Sequence, residues 1–205
     1  MTENFTVYVV DDDPGVLKAM CRLLRARGYQ VNPYASPRLF LEEHNATVPG
    51  CAILDVSMPD LDGLELQREL TITIGSLRPI VFVTGKGDIP TSVRAMKAGA
   101  IDFLTKPVRD EHLFDAISRA QEKDAQSRKA HSELASIVAK VVTLTPRERE
   151  VLAQVVAGRM NKQIAGDLGI AEKTIKVHRS RGMEKLGIRT VADLVRIFEK
   201  ISPTS

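Results

Sequence analysis

Short apolar runs alternate with amphipathic stretches through the first 120 residues. Five apolar runs rich in β-branched residues predict five buried strands, at residues 5–10, 29–31, 51–54, 79–83 and 101–104. Between them, apolar side chains recur every three or four positions, which predicts helices. Strands that alternate with helices form a parallel sheet with helices on both faces, and right-handed crossovers favour the strand order 2-1-3-4-5. The pattern therefore predicts a doubly wound α/β domain.

The second predicted helix has a well-marked start. Ser36 is a capping residue, and Pro37 after it suits the first helical position. The helix that follows carries three large apolar side chains in a row, Leu39, Phe40 and Leu41. We predict that all three lie on the inner side of the helix and pack against the sheet.

Polar side chains stand at the ends of the predicted strands. Asp11 and Asp12 follow the first strand, Asp55 the third, Thr84 the fourth and Lys106 the fifth. The carboxyl ends of parallel strands meet at one edge of the sheet, where such folds bind ligands. A single aspartate after a strand is usually only a cap for the next helix. Three carboxylates brought together repel one another, however, and they require a cation.

The side chains at this edge are suited to phosphoryl transfer. Mg²⁺ prefers oxygen ligands and keeps coordination positions open for phosphate. A carboxylate beside such an ion can attack a phosphoryl group and form an aspartyl phosphate. A lysine ammonium and a threonine hydroxyl can then bind the phosphate oxygens. The residues alone thus predict a magnesium-assisted phosphorylation site, and no Ser–His or Cys–His arrangement indicates another chemistry.

Residues 110–142 contain neither proline nor glycine and are rich in helix-forming residues. Either one long helix spans this segment, or a helix ends near Ala120 and a second begins later. Positions at alternating four- and three-residue steps are apolar at both ends of the segment and polar in its middle, at Asp124, Ser127 and His131. The polar middle argues against a stable coiled coil. We interpret His131 as a solvated side chain, with pH sensing as the alternative.

Four short amphipathic helices are predicted after residue 143. Thr145 and Pro146 start the first, Asn161 is expected to cap the second and Thr190 the fourth. Gly169 provides a tight turn between the second and third helices, as in a helix-turn-helix. The third helix carries basic side chains around its apolar stripe, which suits entry into the major groove of DNA.

Composition and charge narrow the classes of function. An apolar fraction of 43% is ordinary for a globular protein, and no apolar run is long enough to span a bilayer. Residues 143–205 carry 12 Lys and Arg against 7 Asp and Glu, a net charge of +5, whereas residues 1–142 carry −2. The C-terminal region is therefore the one suited to a polyanion. Cys21 and Cys51 lie in apolar contexts, as reduced core residues of a cytoplasmic protein do.

Besides the acidic residues after the first strand, the first region contains three distinctive stretches, LDVSMPDLDG, VFVTGKGD and AGAIDFLTKP. With them, the first region resembles the receiver domain of two-component response regulators. The resemblance implies that Asp55 is the phosphoacceptor. It implies that Asp12 ligates Mg²⁺ directly, with Asp11 and Asp55 beside it. A backbone carbonyl would complete the ion site, at Val56 or, by the family's position, at Ser57.

Further positions of the first region take roles from the same resemblance. Thr84 and Lys106 would bind the phosphoryl group, and Phe103 holds the position of the switch aromatic. The peptide bond before Pro107 is expected to be cis. Lys86, two residues past the switch threonine, either adds a cation near the phosphate and tunes dephosphorylation, or points to solvent.

The C-terminal region contains two equally distinctive stretches, LTPREREVL and GRMNKQIAGDLGIAEKTIKVHRSRGMEKL. With them, residues 143–200 resemble the DNA-binding domain of NarL/FixJ/LuxR-type regulators. By position, the resemblance implies base contacts from Lys176, Val177 and Ser180. It implies contacts to phosphates or sugars from Lys173, Thr174, His178, Arg179, Asn161 and Lys162. Gly182 departs from the family, in which a larger apolar residue is usual, so the end of this helix is expected to be loose or bent.

Together the two resemblances imply a transcription regulator and no enzyme. Residues 1–122 are expected to form the receiver domain, 123–142 a helical linker, and 143–205 an all-α domain of four helices with the helix-turn-helix. A partner sensor histidine kinase would phosphorylate Asp55. Phosphorylation would then favour a homodimer on double-stranded DNA, with RNA polymerase as a further candidate partner and no membrane contact.

Two other functions stay open at the level of sequence. In the first, the receiver is only a scaffold, and the chain regulates DNA independently of phosphorylation. In the second, the chain is a phosphoryl-transfer enzyme, such as a phosphatase acting on an outside substrate. The motifs offer no second substrate pocket for that reaction, and they leave a basic helix-turn-helix without a role.

Overall fold

The computed structural model describes residues 5–73, 78–85 and 87–201. The chain divides into two compact units, Met1–Arg128 and Lys129–Ser205. The first unit buries apolar side chains on both faces of a sheet, and the second has a separate core between helices. In the described part of the chain, no helix combines the length and the apolar character that crossing a membrane requires.

Parallel strands alternate with helices in the first unit. The described elements are β1 (Thr6–Val10), α1 (Pro14–Ala26), β2 (Gln30–Tyr34), α2 (Pro37–Glu43), β3 (Gly50–Leu54), α3 (Gly63–Thr73), β4 (Ile80–Thr84), α4 (Ile89–Lys97), β5 (Asp102–Thr105) and α5 (Asp110–Val142). Helix α5 belongs to this unit only as far as Arg128. The strand order is β2-β1-β3-β4-β5, and every neighbouring pair is parallel. The predicted topology is therefore confirmed, and all strand ends that carry the candidate side chains lie at one edge.

The central strands and the edge strand differ in the way the apolar pattern suggests. Strands β1, β3 and β4 are buried along their whole length, which explains their uninterrupted apolar runs. Strand β2 is longer than predicted and extends to Tyr34 through the exposed Asn32 and Pro33. An edge strand tolerates a proline because one side of it needs no backbone donor. Cys21 and Cys51 are both buried and free, as predicted.

Helix α2 starts where predicted but buries fewer side chains than expected. The Ser36 hydroxyl oxygen accepts a hydrogen bond from the Leu39 backbone N–H at 3.1 Å. Phe40 is fully buried, Leu41 is half-buried, and Leu39 is 39% exposed. The prediction for Leu39 was wrong because three consecutive helical positions span about 200° of the helix surface, and a single neighbouring layer covers less than that.

Helix α5 is one continuous helix from Asp110 to Val142, so the alternative of two helices is excluded. Leu113, Ile117 and Ala120 pack in the core of the first unit. The next position of the same stripe, Asp124, is also buried although it is charged. His131, further along, is exposed, in agreement with its interpretation as a solvated side chain.

The second unit contains four helices after α5 in its described part. They are α6 (Pro146–Val156), α7 (Asn161–Leu168), α8 (Glu172–Leu186) and α9 (Val191–Ile201). Thr145 caps α6 as predicted, in a reciprocal capping box with Glu148. Asn161 does not cap α7, because the helix already begins with it; the Gln163 side chain instead accepts the Met160 backbone N–H at 2.8 Å. Gly169 ends α7 in the left-handed conformation, with φ 64°.

Gly182 lies inside α8, which continues without interruption to Leu186, so the glycine does not end the helix. A Cβ atom at this position would stand 2.8 Å from Leu152 Cδ1 and 3.5 Å from Glu148 Cβ, both on α6. A side chain on residue 182 would therefore require the buried Leu152 side chain to shift. The glycine that weakens the helix intrinsically lets α8 pack closely against α6 at this point.

Candidate functional site

The candidate phosphorylation site lies at the carboxyl ends of the central strands. Asp11 directly follows β1 and Asp55 directly follows β3, and the Asp55 backbone N–H donates to the Val10 carbonyl at 2.9 Å. Lys106 follows β5, and its backbone N–H donates to the Thr84 carbonyl at 2.8 Å. The parallel ladder thus extends one residue past the strands and brings these positions together.

Lys106 joins the two aspartates through its side chain. Its Nζ lies 2.6 Å from Asp11 Oδ2 and 2.8 Å from Asp55 Oδ1. Burial lowers the pKa of the Lys106 ammonium, but hydrogen bonds and charge from Asp11 and Asp55 outweigh burial, so the pKa is raised overall. The peptide bond from Lys106 to Pro107 is cis, as the resemblance implied.

Within the described residues, two buried carboxylates, Asp11 and Asp55, pair with one lysine, so negative charge is in excess. Asp11 is 4% exposed and Asp55 is 6% exposed, so water screens them little. Asp12 is exposed, and Asp13 caps α1 by accepting the backbone N–H of Gly15 at 2.7 Å. Only one of these consecutive side chains, Asp11, turns into the site. Among the described residues, no group of three or more His, Cys, Asp or Glu side chains is already arranged to hold a metal ion.

The donors nevertheless fit a hard divalent cation. The Lys106 ammonium lies between the carboxylates of Asp11 and Asp55 at hydrogen-bond distance from both, which marks a position where positive charge is stabilised. All side-chain donors there are carboxylate oxygens, the ligands that Mg²⁺ prefers. Asp12 is adjacent in sequence to Asp11 and is exposed.

The backbone after β3 holds Asp55 in place. Asp55 Oδ2 accepts the Ser57 backbone N–H at 2.5 Å, so both carboxylate oxygens have a donor. The Gly63 N–H donates to the Val56 carbonyl at 3.0 Å as α3 begins. A Cβ on Gly63 would lie 2.2 Å from the Asp55 carbonyl oxygen, a distance that no side chain permits. The Asp62-Gly63 pair therefore allows α3 to start directly against the strand end that carries Asp55.

The candidate switch residues lie beside the carboxylates, at β4 and β5. Thr84 is completely buried at the end of β4. Phe103 on β5 is half-buried, with its ring 6.0 Å from the ring of Phe82. A Cβ on Gly87 would lie 3.0 Å from Phe103 Cε1, so the loop after β4 passes close to this ring. Lys86 lies outside the described residues.

The candidate DNA-binding side chains are on α7 and α8. The exposed ones are Lys173, Thr174, Lys176, Val177, Ser180 and Lys162. His178, Arg179 and Asn161 are half-buried, and Arg179 Nη1 donates to Asn161 Oδ1 at 3.3 Å, which links the two helices. Lys176 pairs with Glu172 one turn earlier at 3.1 Å, an exposed contact of little energetic weight. Val177 is 40% exposed although it is apolar.

One basic side chain of α8 has a different role. Lys185 Nζ donates to Glu148 Oε2 at 2.6 Å and to the Thr143 carbonyl at 3.2 Å. Glu148 is buried and also accepts the Thr145 backbone N–H at 2.9 Å. The Lys185 hydrogen bond and the Thr145 N–H lower the pKa of Glu148. Sequence reasoning missed this pair, although the three-residue spacing of Thr145 and Glu148 is a capping-box signal.

A doubly wound domain with paired acidic strand ends, followed by a helix-turn-helix unit, defines the class of signalling proteins in which a receiver controls a DNA-binding domain. Residues 7–118 match the family model of the response regulator receiver domain. Residues 142–198 match the model of the bacterial regulatory proteins of the luxR family. The chain belongs to the response regulators with a LuxR-type DNA-binding domain, which are transcriptional regulators controlled, as is typical of the family, by phosphorylation.

Curated relatives match over nearly their whole length. Nodulation protein W of Bradyrhizobium diazoefficiens is 43% identical over 195 residues, which cover 95% of this chain and 86% of that protein. The response regulator protein TmoT of Ectopseudomonas mendocina is 43% identical over 97% of this chain and 90% of its own. The transcriptional regulatory protein FixJ of Rhizobium meliloti is 39% identical over 95% of each chain.

Solved structures support the same assignment. The response regulator StyR is 46% identical and gives a TM-score of 0.83, with 96% of this chain and 99% of that chain covered. Full-length FixJ from B. japonicum is 35% identical, with a TM-score of 0.58 and 98% of each chain covered. The five-stranded receiver fold and the helical DNA-binding fold are therefore those of the family.

Proposed function

We propose that a partner sensor histidine kinase phosphorylates Asp55, and that this modification controls binding of the second unit to double-stranded DNA. The observation that carries the proposal is that two buried carboxylates, Asp11 and Asp55, both pair with the ammonium of Lys106, their one cationic partner in the part of the chain that the structure describes. This arrangement leaves excess negative charge in a site that water screens poorly. Such a site favours an incoming cation, and with it the oxygens of a phosphoryl group.

In the proposed reaction, a carboxylate oxygen of Asp55 attacks the phosphorus of the donor. The bond between phosphorus and the donor histidine nitrogen breaks, and the imidazole leaves with the electron pair. Asp11, Asp12, Asp55 and the Ser57 carbonyl would hold Mg²⁺, which would neutralise carboxylate charge and screen the phosphoryl oxygens. The backbone N–H of Ser57, which already donates to Asp55, keeps the attacking carboxylate oriented.

Lys106 and Thr84 bind the phosphoryl oxygens of the product. Lys106 already donates to Asp55 Oδ1, so its ammonium needs only a small shift to reach an oxygen bonded to phosphorus. Thr84 stands at the end of the neighbouring strand, and movement of its hydroxyl toward the phosphate leaves space into which Phe103 repacks. The altered surface near α4 and β5 then favours a homodimer.

DNA binding is assigned to α7 and α8. Lys176, Val177 and Ser180 would contact base edges in the major groove. The surrounding side chains, Lys173, Thr174, His178, Arg179, Asn161 and Lys162, would contact phosphates and sugars and fix the register. Two linked copies gain affinity through effective concentration. We infer transcriptional activation as the outcome, with RNA polymerase as the further partner and the cytoplasm as the location.

The proposed division of the chain follows these roles. Residues 1–122 form the receiver, residues 123–142 the helical linker, and residues 143–205 the DNA-binding domain. No role as an enzyme on an outside substrate is assigned. Continued turnover of small phosphoesters by the purified chain, beyond a single phosphorylation of itself, would contradict that assignment.

The test compares Asp55→Asn with the control Asp60→Asn in the full chain. Asp60 is exposed and has a φ of 67°, a conformation that asparagine tolerates as well as aspartate. With acetyl phosphate and Mg²⁺, intact-mass spectrometry should show one phosphoryl group on the wild type and on the control, and none on Asp55→Asn. Affinity for duplexes identified by footprinting genomic DNA should rise about 10-fold or more in the first two proteins only. Equal regulation of DNA binding in Asp55→Asn would instead support a receiver that acts only as a scaffold.

A further inference from the structure

A second cluster of buried charges lies in the first unit, at the edge of the sheet opposite to Asp55. It consists of Arg78, which precedes β4, and of Asp124 and Arg128 on α5. Arg78 is 6% exposed and Asp124 is 5% exposed. Neither takes part in the phosphorylation site or the DNA-binding surface. Buried charges are costly unless they are paired, so this cluster requires a structural reason.

Arg128 connects helix α5 to the loop that precedes β3. Its Nε donates to Asp124 Oδ2 at 2.8 Å, one helical turn away. Its terminal nitrogens donate to three successive carbonyls of the loop, those of Thr47 at 2.7 Å, Ala46 at 3.1 Å and Val48 at 2.6 Å. A guanidinium is a planar fork with five donors. Here three of its hydrogen bonds hold together two segments about eighty positions apart in sequence, and the fourth, to Asp124, lies within α5.

Arg78 binds the same loop from the other side. Its Nη2 donates to the carbonyls of Asn45 at 2.8 Å and Val48 at 3.2 Å. Its guanidinium carbon lies 4.4 Å from the centre of the Tyr8 ring, so the cation stacks on β1. The four carbonyls from residue 45 to residue 48 are thus all bound by arginines, and the loop is fixed to the sheet and to α5 together.

The cluster begins where the apolar packing of α5 ends. Leu113, Ile117 and Ala120 are the last apolar positions of the helix that pack in the core of the first unit. One turn later, Asp124 is the final buried residue of α5, and Arg128 is the final residue of the first unit. Hydrogen bonds and an ion pair therefore attach the helix to the first unit for two turns beyond the end of its apolar packing.

We propose that this cluster anchors the linker helix to the receiver, and that phosphorylation controls DNA binding only while the anchor is intact. The loop bound by the arginines leads directly into β3, and β3 ends at Asp55, so anchor and phosphoacceptor belong to one short stretch, residues 45–55. With the anchor intact, a conformational change in the receiver also moves the start of the linker helix. Without the anchor, the helix would fray from Ala120 onward, and the conformational change would not be transmitted along it. The inference rests on the function proposed above.

The test removes the Arg128 side chain in the full chain and compares it with a matched control. Arg128→Ala deletes the fork, whereas Lys129→Ala removes the same charge from the next, exposed position of the same helix. Both proteins should accept a phosphoryl group from acetyl phosphate at rates within about twofold of wild type, since Asp55 lies at the other edge. The gain in DNA affinity on phosphorylation should fall at least about fivefold in Arg128→Ala and should persist in Lys129→Ala.

Hydrogen exchange gives a readout that does not depend on DNA. In Arg128→Ala, backbone amides of residues 121–131 should exchange at least about tenfold faster than in wild type, while those of β3 stay protected. Arg128→Lys keeps the charge but loses the fork, so its exchange rates should lie between those of wild type and Arg128→Ala. If Arg128→Ala does not fold, the exchange rates of Arg128→Lys test the proposal instead. A folded Arg128→Ala protein with wild-type exchange and a wild-type gain in affinity would overturn the proposal. If wild type itself shows no gain, the proposed function fails, and the exchange rates still test the anchor.

Discussion

Each unit of the protein buries a carboxylate beside a lysine, but the two arrangements differ in charge. In the second unit, Glu148 pairs with Lys185 at 2.6 Å and also caps α6, so one carboxylate meets one ammonium. In the first unit, Asp11 and Asp55 share one ion-pair partner among the described residues, Lys106, at 2.6 and 2.8 Å. The pair in the second unit is balanced in charge. Among the described residues, the site in the first unit has one carboxylate more than it has ammonium groups.

The difference separates a structural ion pair from a reactive one. A balanced pair links α6 to α8 and carries no excess charge that a ligand could neutralise. A site with two carboxylates and one cation loses stability through repulsion, and it regains that stability when a further cation or a phosphoryl group enters. Burial and short distances are common to both sites, so the charge count is what indicates function.

The largest expected effect comes from separating the helices that hold the balanced pair. Gly182→Val would press a side chain against Leu152, which is fully buried, and so move α8 away from α6. We expect the free energy of unfolding to fall by about 3 kcal/mol. Gly166→Val on α7 is the control, because a Cβ there meets nothing within 4 Å. Urea denaturation followed by circular dichroism should show the control within about 0.5 kcal/mol of wild type.

Removing one carboxylate should have opposite effects in the two sites. Glu148→Gln leaves Lys185 without its counter-charge and should lower the free energy of unfolding by about 2 kcal/mol. Asp55→Asn leaves Asp11 and Lys106 as a balanced pair and should raise it by about 1 kcal/mol. Equal destabilisation by both substitutions in urea would show that the two sites are held in the same way and would remove the distinction.

The pH dependence of stability should differ in direction between the sites. The pKa of Glu148 is lowered in the folded protein, so its contribution is present above the ordinary value of 4.5 and is lost as the pH falls through the lowered value. The pKa of Lys106 is raised, so its contribution is present below the ordinary value of 10.5 and is lost as the pH rises through the raised value. The stability difference between wild type and Glu148→Gln, measured in urea at pH 7 and pH 3, should shrink toward zero at the lower pH. A constant difference would contradict the pairing.

Mg²⁺ should stabilise the site in the first unit and not the ion pair in the second. At ten times its dissociation constant, the ion should raise the unfolding free energy of the first unit by about 1.4 kcal/mol and leave the second unit unchanged. Asp12→Asn should reduce this gain in stability. Asp193→Asn, which removes an acidic side chain from the second unit, should not. Thermal unfolding with and without the ion provides the measurement. A uniform gain across both units would indicate a general salt effect.

The parts of the fold that depend on local pattern were predictable, and those that depend on distant partners were not. The central strands were visible because burial on both faces leaves an uninterrupted apolar run, but β2 appeared short because Pro33 breaks that run at a sheet edge. Parallel strands must bring their ends together, so the meeting of Asp11, Asp55 and Lys106 followed from topology. Topology did not indicate which of the two adjacent aspartates, Asp11 or Asp12, would point into the site.

The buried cluster on α5 is the clearest case of a missed feature. Asp124 stood in the polar middle of the helical stripe, and its burial could not be inferred from the helix. Its environment comes from Arg128 one turn later and from loop carbonyls about eighty positions away. Glu148 was missed for a similar reason, since Lys185 lies 37 positions further along the chain. A local sequence window contains neither partner.

The missing side chain of Gly63 has a consequence for attempts to diversify this protein. A Cβ there would meet the carbonyl oxygen of Asp55 itself at 2.2 Å, so any other codon would displace the backbone of the residue that is proposed to be modified. In a saturation library of the loop from residue 59 to residue 63, selection for signalling should accept glycine and asparagine beside aspartate at residue 60, which is exposed and has a φ of 67°. At residue 63 it should accept glycine alone.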